Sequence, residues 1–114
     1  MSNVIDLGDG HTLRFIGWHP DRAIPANRDR YHDIPDIERY GAIVAHFAPD
    51  GTPCEGFVTF DTPEVRALMQ TWVVPPKPPL WTVEQWEPLT LSPSLLCSAC
   101  GDHGFVRAGR WVRA

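Results

Sequence analysis

Short β-prone runs, each cut off by a cluster of turn-forming residues, recur along this chain. Val4-Ile5-Asp6-Leu7 and Thr12-Leu13-Arg14-Phe15-Ile16 flank Gly8-Asp9-Gly10-His11, and two such runs about a Gly/Asp turn predict a hairpin. Gly41 to Phe47 predicts a further strand, Ala48-Pro49-Asp50-Gly51-Thr52-Pro53 a turn, and Gly56 to Phe60 the returning strand, with Cys54 and Glu55 at its start. Trp81 to Glu87 reads as a strand that Pro88 interrupts. Alternation puts Trp81, Val83 and Gln85 on one face and Thr82, Glu84 and Trp86 on the other, so an aromatic on each side predicts partial cover on both. Gly104 to Arg107 and Arg110 to Arg113, joined by Ala108-Gly109, predict a last hairpin in which Gly109 supplies a residue with φ > 0.

Only one stretch carries a helical period. Asp61-Thr62-Pro63-Glu64 is a helix start, with a capping side chain, proline in the first turn and an acid at the positive end. Val65, Leu68, Met69 and Trp72 follow at helical spacing until Val73-Val74-Pro75-Pro76 stops them. His19 to Tyr40 holds Pro20, Pro25 and Pro35, four aspartates and four arginines, and predicts a long surface loop with one helical turn at Pro35 to Tyr40. Pro75-Pro76-Lys77-Pro78-Pro79 predicts an extended segment, read as a stiff connector in preference to a docking ligand.

Composition narrows the picture. The 114 residues suit a single domain, 1–114, and are 43% hydrophobic and 21% charged, as globular chains are. The 12 prolines and 9 glycines argue against long helices. A net charge of −4 weighs against nucleic acid as the main partner. The start of the chain is not a secretory signal and no apolar run nears the ~18 residues of a membrane span, so a cytoplasmic, reducing setting without membrane contact is expected. There a cysteine pair points to metal or redox chemistry.

The pair in question is Cys97-Ser98-Ala99-Cys100-Gly101-Asp102-His103-Gly104. Two thiolates three residues apart and a following glycine make a zinc knuckle, because the turn brings both sulfurs to one ion while glycine accepts φ > 0. A redox pair would sit at a helix N-terminus, and Gly101 and Gly104 with β-prone flanks do not suit one. A structural zinc takes four tetrahedral ligands. His103, just past the turn, is the expected third and Cys54, the one remaining cysteine, the fourth; His46 on the same hairpin as Cys54 is the reserve, with Asp102 and His11 weaker candidates. A catalytic site would need an open position, with Glu55 as acid or base, and invites comparison with zinc deaminases. Their His-x-Glu and Pro-Cys-x-x-Cys elements are not reproduced by Cys54-Glu55 and Leu96-Cys97, so no catalytic residue is assigned. Arg107, Arg110 and Arg113 with Phe105 and Trp111 form the one basic and aromatic cluster, which could contact single-stranded nucleic acid.

The tail from Trp86 to Cys97, with Leu91-Ser92-Pro93-Ser94, then Cys100-Gly101-Asp102-His103-Gly104-Phe105-Val106-Arg107 and Gly109-Arg110-Trp111-Val112, resembles an uncharacterised family of short phage and prophage proteins. The resemblance covers about the last 30 residues well and the middle hairpin loosely. It implies a small metal-binding β-domain, with Cys54 at the position of an upstream Cys-rich hairpin, and carries no activity.

Taken together, the expected fold is mainly β (a small α+β), hairpins around a zinc-ribbon-like knuckle with one short helix. The expected cofactor is a structural Zn2+ on Cys54, Cys97, Cys100 and His103. The expected role is a phage-encoded accessory or interaction protein of the host cytoplasm, with a protein partner in the host or the virion. A nucleic-acid module on Arg107, Arg110 and Arg113, or a small zinc hydrolase, are the alternatives.

Overall fold

The computed structural model describes residues 4–71 and 79–114. Strands β1 (Val4–Gly8) and β2 (His11–Trp18) form the first hairpin, with Gly8, Asp9 and Gly10 all at positive φ through the turn. On β2, His11, Leu13 and Phe15 point inward and are buried, while Thr12 and Arg14 are exposed, the period-two pattern of a half-buried strand. Strand β3 (Ile37–Phe47) lies antiparallel to β2, with Leu13 opposite Val44 and Phe15 opposite Ala42. Strand β4 (Pro53–Phe60) returns along β3, with Ala42 opposite Val58 and His46 opposite Cys54.

A short helix, Pro63–Met69, follows β4; Thr62 caps it by accepting the Val65 N–H, and Val65, Leu68 and Met69 are buried. Trp72 and residues 73–78 of the proline-rich connector lie outside the described residues. Strand β5 (Leu80–Trp86) then pairs parallel to β4 through Thr59–Leu80 and Phe60–Trp81, and β6 (Leu89–Ser92) turns back on it. Strands β7 (Leu95–Leu96), β8 (His103–Arg107) and β9 (Arg110–Arg113) make a second, antiparallel sheet. The turn between β8 and β9 places both Ala108 and Gly109 at positive φ, the twist that a two-residue hairpin needs.

Six strands in sequence order form the larger sheet. Its free ends curl toward the smaller sheet, so that β9 packs beside β1 and β8 beside β6. The inward faces of β1 to β4, β6, β8 and β9, together with Leu95, meet in one core of Leu7, Leu13, Phe15, Ala42, Val44, Val58, Phe60, Leu89, Leu91, Leu95, Val106 and Trp111. The fold is therefore mainly β, as the hairpin pattern predicts. A second cluster, Ile37, Val65, Leu68 and Met69 with Trp18, Tyr31 and Tyr40 against it, seats the capped helix on the outer end of β3.

Two features differ from the sequence expectation. The region read as loop contains a helix, Pro25–Tyr31, which has Pro at its start, no side-chain cap and no buried residue. Tyr31 alone packs against the core from this helix, and a single apolar contact leaves no period to read. The turn expected at Pro35 to Tyr40 is instead the first part of β3, where Ile37 pairs with Trp18 and is buried. Tertiary pairing overrides the local proline signal there. The described residues thus contain two helices where one was expected. No helix among them is long and apolar enough to cross a membrane.

Candidate metal centre

The hairpin of β3 and β4 builds half of the centre. Directly opposed residues of an antiparallel pair project to the same face, and the register pairs His46 with Cys54. Both continue the inward row of Ala42, Val44 and Val58 toward one end of the curled sheet, where Cys54 is buried and the His46 ring only 9% exposed.

The knuckle builds the other half. Cys97 N–H donates to the Asp102 carbonyl at 2.7 Å and Gly101 N–H to the Cys97 carbonyl at 2.7 Å. Gly101 at φ +80 turns the chain between them, a conformation open to glycine at little cost. The backbone N–H of Cys100, with that of Ala99, points at the Cys97 sulfur and holds its thiol below the ordinary range against the opposing pull of burial. Cys54 behaves oppositely: burial, then the neighbouring thiols of Cys97 and Cys100, push its thiol up to about 11.

These two halves converge. One donor atom from each of His46, Cys54, Cys97 and Cys100 lies within 4.8 Å of all the others, and His46 Nε2 is 3.2 Å from Cys100 Sγ. None of the three cysteines is in a disulfide. Tetrahedral thiolate coordination at ~2.3 Å implies sulfurs about 3.8 Å apart, so the donor set fits one metal ion with little movement. Three thiols crowded beside an imidazole cannot all ionise unless a cation sits among them, which is the chemical condition a metal satisfies.

His103, the ligand expected from spacing, is not a member of this cluster. Strand β8 begins at His103, which pairs with Leu96, and Leu96 is 66% exposed. His103 therefore points outward with its partner, and its Nε2 is bonded to Ser94 Oγ at 2.7 Å. His46 takes the place expected of it. The signal for His46 lies in the hairpin itself: a register centred on Asp50 puts residues 46 and 54 opposite each other. Glu55 is exposed and, one residue along the strand from Cys54, belongs to the other face; it is absent from the cluster.

Further polar and aromatic side chains pack around His46. His11 stacks on Trp111 with ring centres 4.1 Å apart and on His46 at 4.9 Å. His11 Nε2 lies 2.6 Å from Asp102 Oδ2 and Nδ1 lies 2.7 Å from the Asp9 carbonyl. Asp102 thus holds the knuckle twice, through its carbonyl on Cys97 and through its carboxylate on β2. His11 itself is 4% exposed. The basic cluster is largely occupied within the fold: Arg113 pairs with Asp9 at 3.0 Å, Arg107 lies over Phe105 at 4.1 Å, and the guanidinium of Arg110 lies against Gly8.

Compared with protein families, with curated proteins and with solved structures, the chain matches none of them.

Proposed function

We propose that this is a small interaction protein whose fold is fastened by one structural Zn2+ on His46, Cys54, Cys97 and Cys100, and which works by binding a macromolecule. The observation that carries the reading is the convergence of four donors, three of them thiolates, from two separate hairpins. Four protein ligands complete a tetrahedral zinc and leave no position for water, which argues for a clasp and against a hydrolase. Two of the most exposed apolar side chains flank the ligands in sequence: Phe47, 70% exposed, follows His46, and Leu96, 66% exposed, precedes Cys97. We assign these two side chains, each next to a donor in sequence, to contact with a protein partner. The resemblance read from the tail to short phage proteins favours a partner in an infected cell, in the host or the virion.

Two measurements test the reading. Protein purified without added metal should hold one zinc per chain, bound at least about tenfold more weakly in Cys54→Ala, Cys97→Ala and His46→Ala and as tightly as in wild type in His103→Ala. Cross-linking in cells should capture a partner that Phe47→Ser with Leu96→Ser loses while zinc and fold remain. Zinc bound equally by wild type and His46→Ala, or capture unchanged by the double substitution, would refute the respective half.

A further inference from the structure

A second set of donors overlaps the first. His11, His46 and Asp102 also offer one ligand atom each within 4.8 Å of one another. We propose that the pocket has an alternative coordination state for a divalent metal, on His11 Nε2, His46 Nε2 and an Asp102 carboxylate oxygen. This rests on the pocket being a metal centre, as inferred above, and adds a second donor set to it.

Four observations support it. The set is two imidazoles and one carboxylate, the combination that binds borderline divalent ions on one face and leaves the other positions open. His46 is shared: its Nε2 lies 3.2 Å from Cys100 Sγ and 4.0 Å from Asp102 Oδ2. It stands at the boundary between a sulfur-rich side and an oxygen-and-nitrogen side, so one ion can use only one set in full. The outer contact is already of the kind that metal-bound histidine makes. His11 Nδ1 faces the Asp9 carbonyl at 2.7 Å, which requires the N–H on Nδ1 and leaves Nε2 directed at Asp102. Finally, His11, His46, Cys100 and Asp102 line a cleft of about 410 Å³ that also includes Asp9 and Arg113, giving water access to the open positions. The 2.6 Å separation of His11 Nε2 and Asp102 Oδ2 is a hydrogen-bond distance. An ion entering this set would replace that contact and widen the gap.

Sulfur wins for zinc or cobalt while all three thiolates are intact. The second set takes the ion when the thiolates are removed or oxidised. A hydroperoxide does the latter. Two thiolates form the S–S bond and give up two electrons, the O–O bond breaks, and two solvent protons complete the water and the alcohol, or two waters from hydrogen peroxide.

Cobalt(II) reports both states. One equivalent added to the metal-free wild-type protein should give the strong near-ultraviolet band of sulfur-to-cobalt charge transfer; its absence would overturn the thiolate centre itself. The variant with Cys54→Ser, Cys97→Ser and Cys100→Ser should still bind one cobalt, without that band, and adding His11→Ala or Asp102→Ala should weaken binding by about tenfold or more. If the triple variant does not fold, zinc-loaded wild type, whose ion has no redox chemistry of its own, is treated with hydrogen peroxide and desalted. Zinc should stay with the wild-type protein and leave the His11→Ala and Asp102→Ala proteins. Loss of zinc from oxidised wild type, or equal retention in all three, would overturn the alternative state and leave the thiolate centre standing.

Discussion

At the scale of single residues, the difference between His46 and His103 shows how a strand brings donor atoms together. His103 is three residues from Cys100, yet its strand turns it to solvent beside Leu96. His46 is 51 positions from Cys97, yet its strand delivers it opposite Cys54. Asp102 contributes without belonging to the four: it accepts the Cys97 N–H and fixes His11 against His46. Asp102→Asn should therefore weaken zinc binding about tenfold and leave one zinc per chain at saturation, as competition with a chromogenic chelator would measure. The pH dependence has a definite sign. Zinc takes thiolates, and the metal-free Cys54 thiol, at about 11, keeps its proton at neutral pH. Binding must release that proton, so zinc affinity rises with pH through the neutral range, and the proton release should be visible with an indicator dye.

At the scale of elements, the hairpins are set by local chemistry and finished by close packing. Gly104 on β8 lies under the Trp111 indole: a Cβ there would come within 2.6 Å of the ring and 2.7 Å of the Val112 carbonyl. Backbone cannot retreat as a flexible side chain can, so Gly104→Ala should cost about 2 kcal/mol or more and lower the thermal midpoint with zinc bound. The short helix after β4 depends on its cap; Thr62 Oγ1 accepts from Val65 N–H at 3.3 Å. Thr62→Ala should cost about 1 kcal/mol, read from urea unfolding. The segment carrying the unexpected helix is tied by Asp36, whose carboxyl is held low by the Arg22 guanidinium and then by His19. A folded-state carboxyl below its unfolded value stabilises above the unfolded pKa and ceases to do so as pH falls through the folded one. The pair is exposed and its contribution small, so the effect should be local: faster amide exchange at residues 25–36 in acid, with the core unchanged.

At the scale of the whole molecule, the proposed metal joins parts that are far apart in sequence. The β3–β4 hairpin and the knuckle meet at one end of the curled sheet, above the apolar core, and the His11–Asp102 hydrogen bond ties the knuckle to β2 beside them. Removing zinc with a chelator should lower the thermal midpoint and increase amide exchange first at residues 46–54 and 97–102, with β1, β2 and the lower half of β3 protected longest. Uniform loss of protection would mean that the metal holds the entire fold and not one end of it.

The sequence by itself determined the hairpins, the capped helix and the knuckle, because each is a local pattern: alternating burial, a turn residue with the needed φ, a capping hydroxyl. It also points to the three cysteines, since Cys-x-x-Cys-Gly is a local geometry and Cys54 is the one other cysteine. The helix at Pro25–Tyr31 and the early start of β3 are not legible there, because the first has no fully buried residue and the second is made by pairing with Trp18. Only the tertiary structure decided between His46 and His103, and only it brought His11 and Asp102 beside the centre. Spacing along the chain measures which residues can reach a point, whereas the register and face of each strand decide which ones are aimed at it.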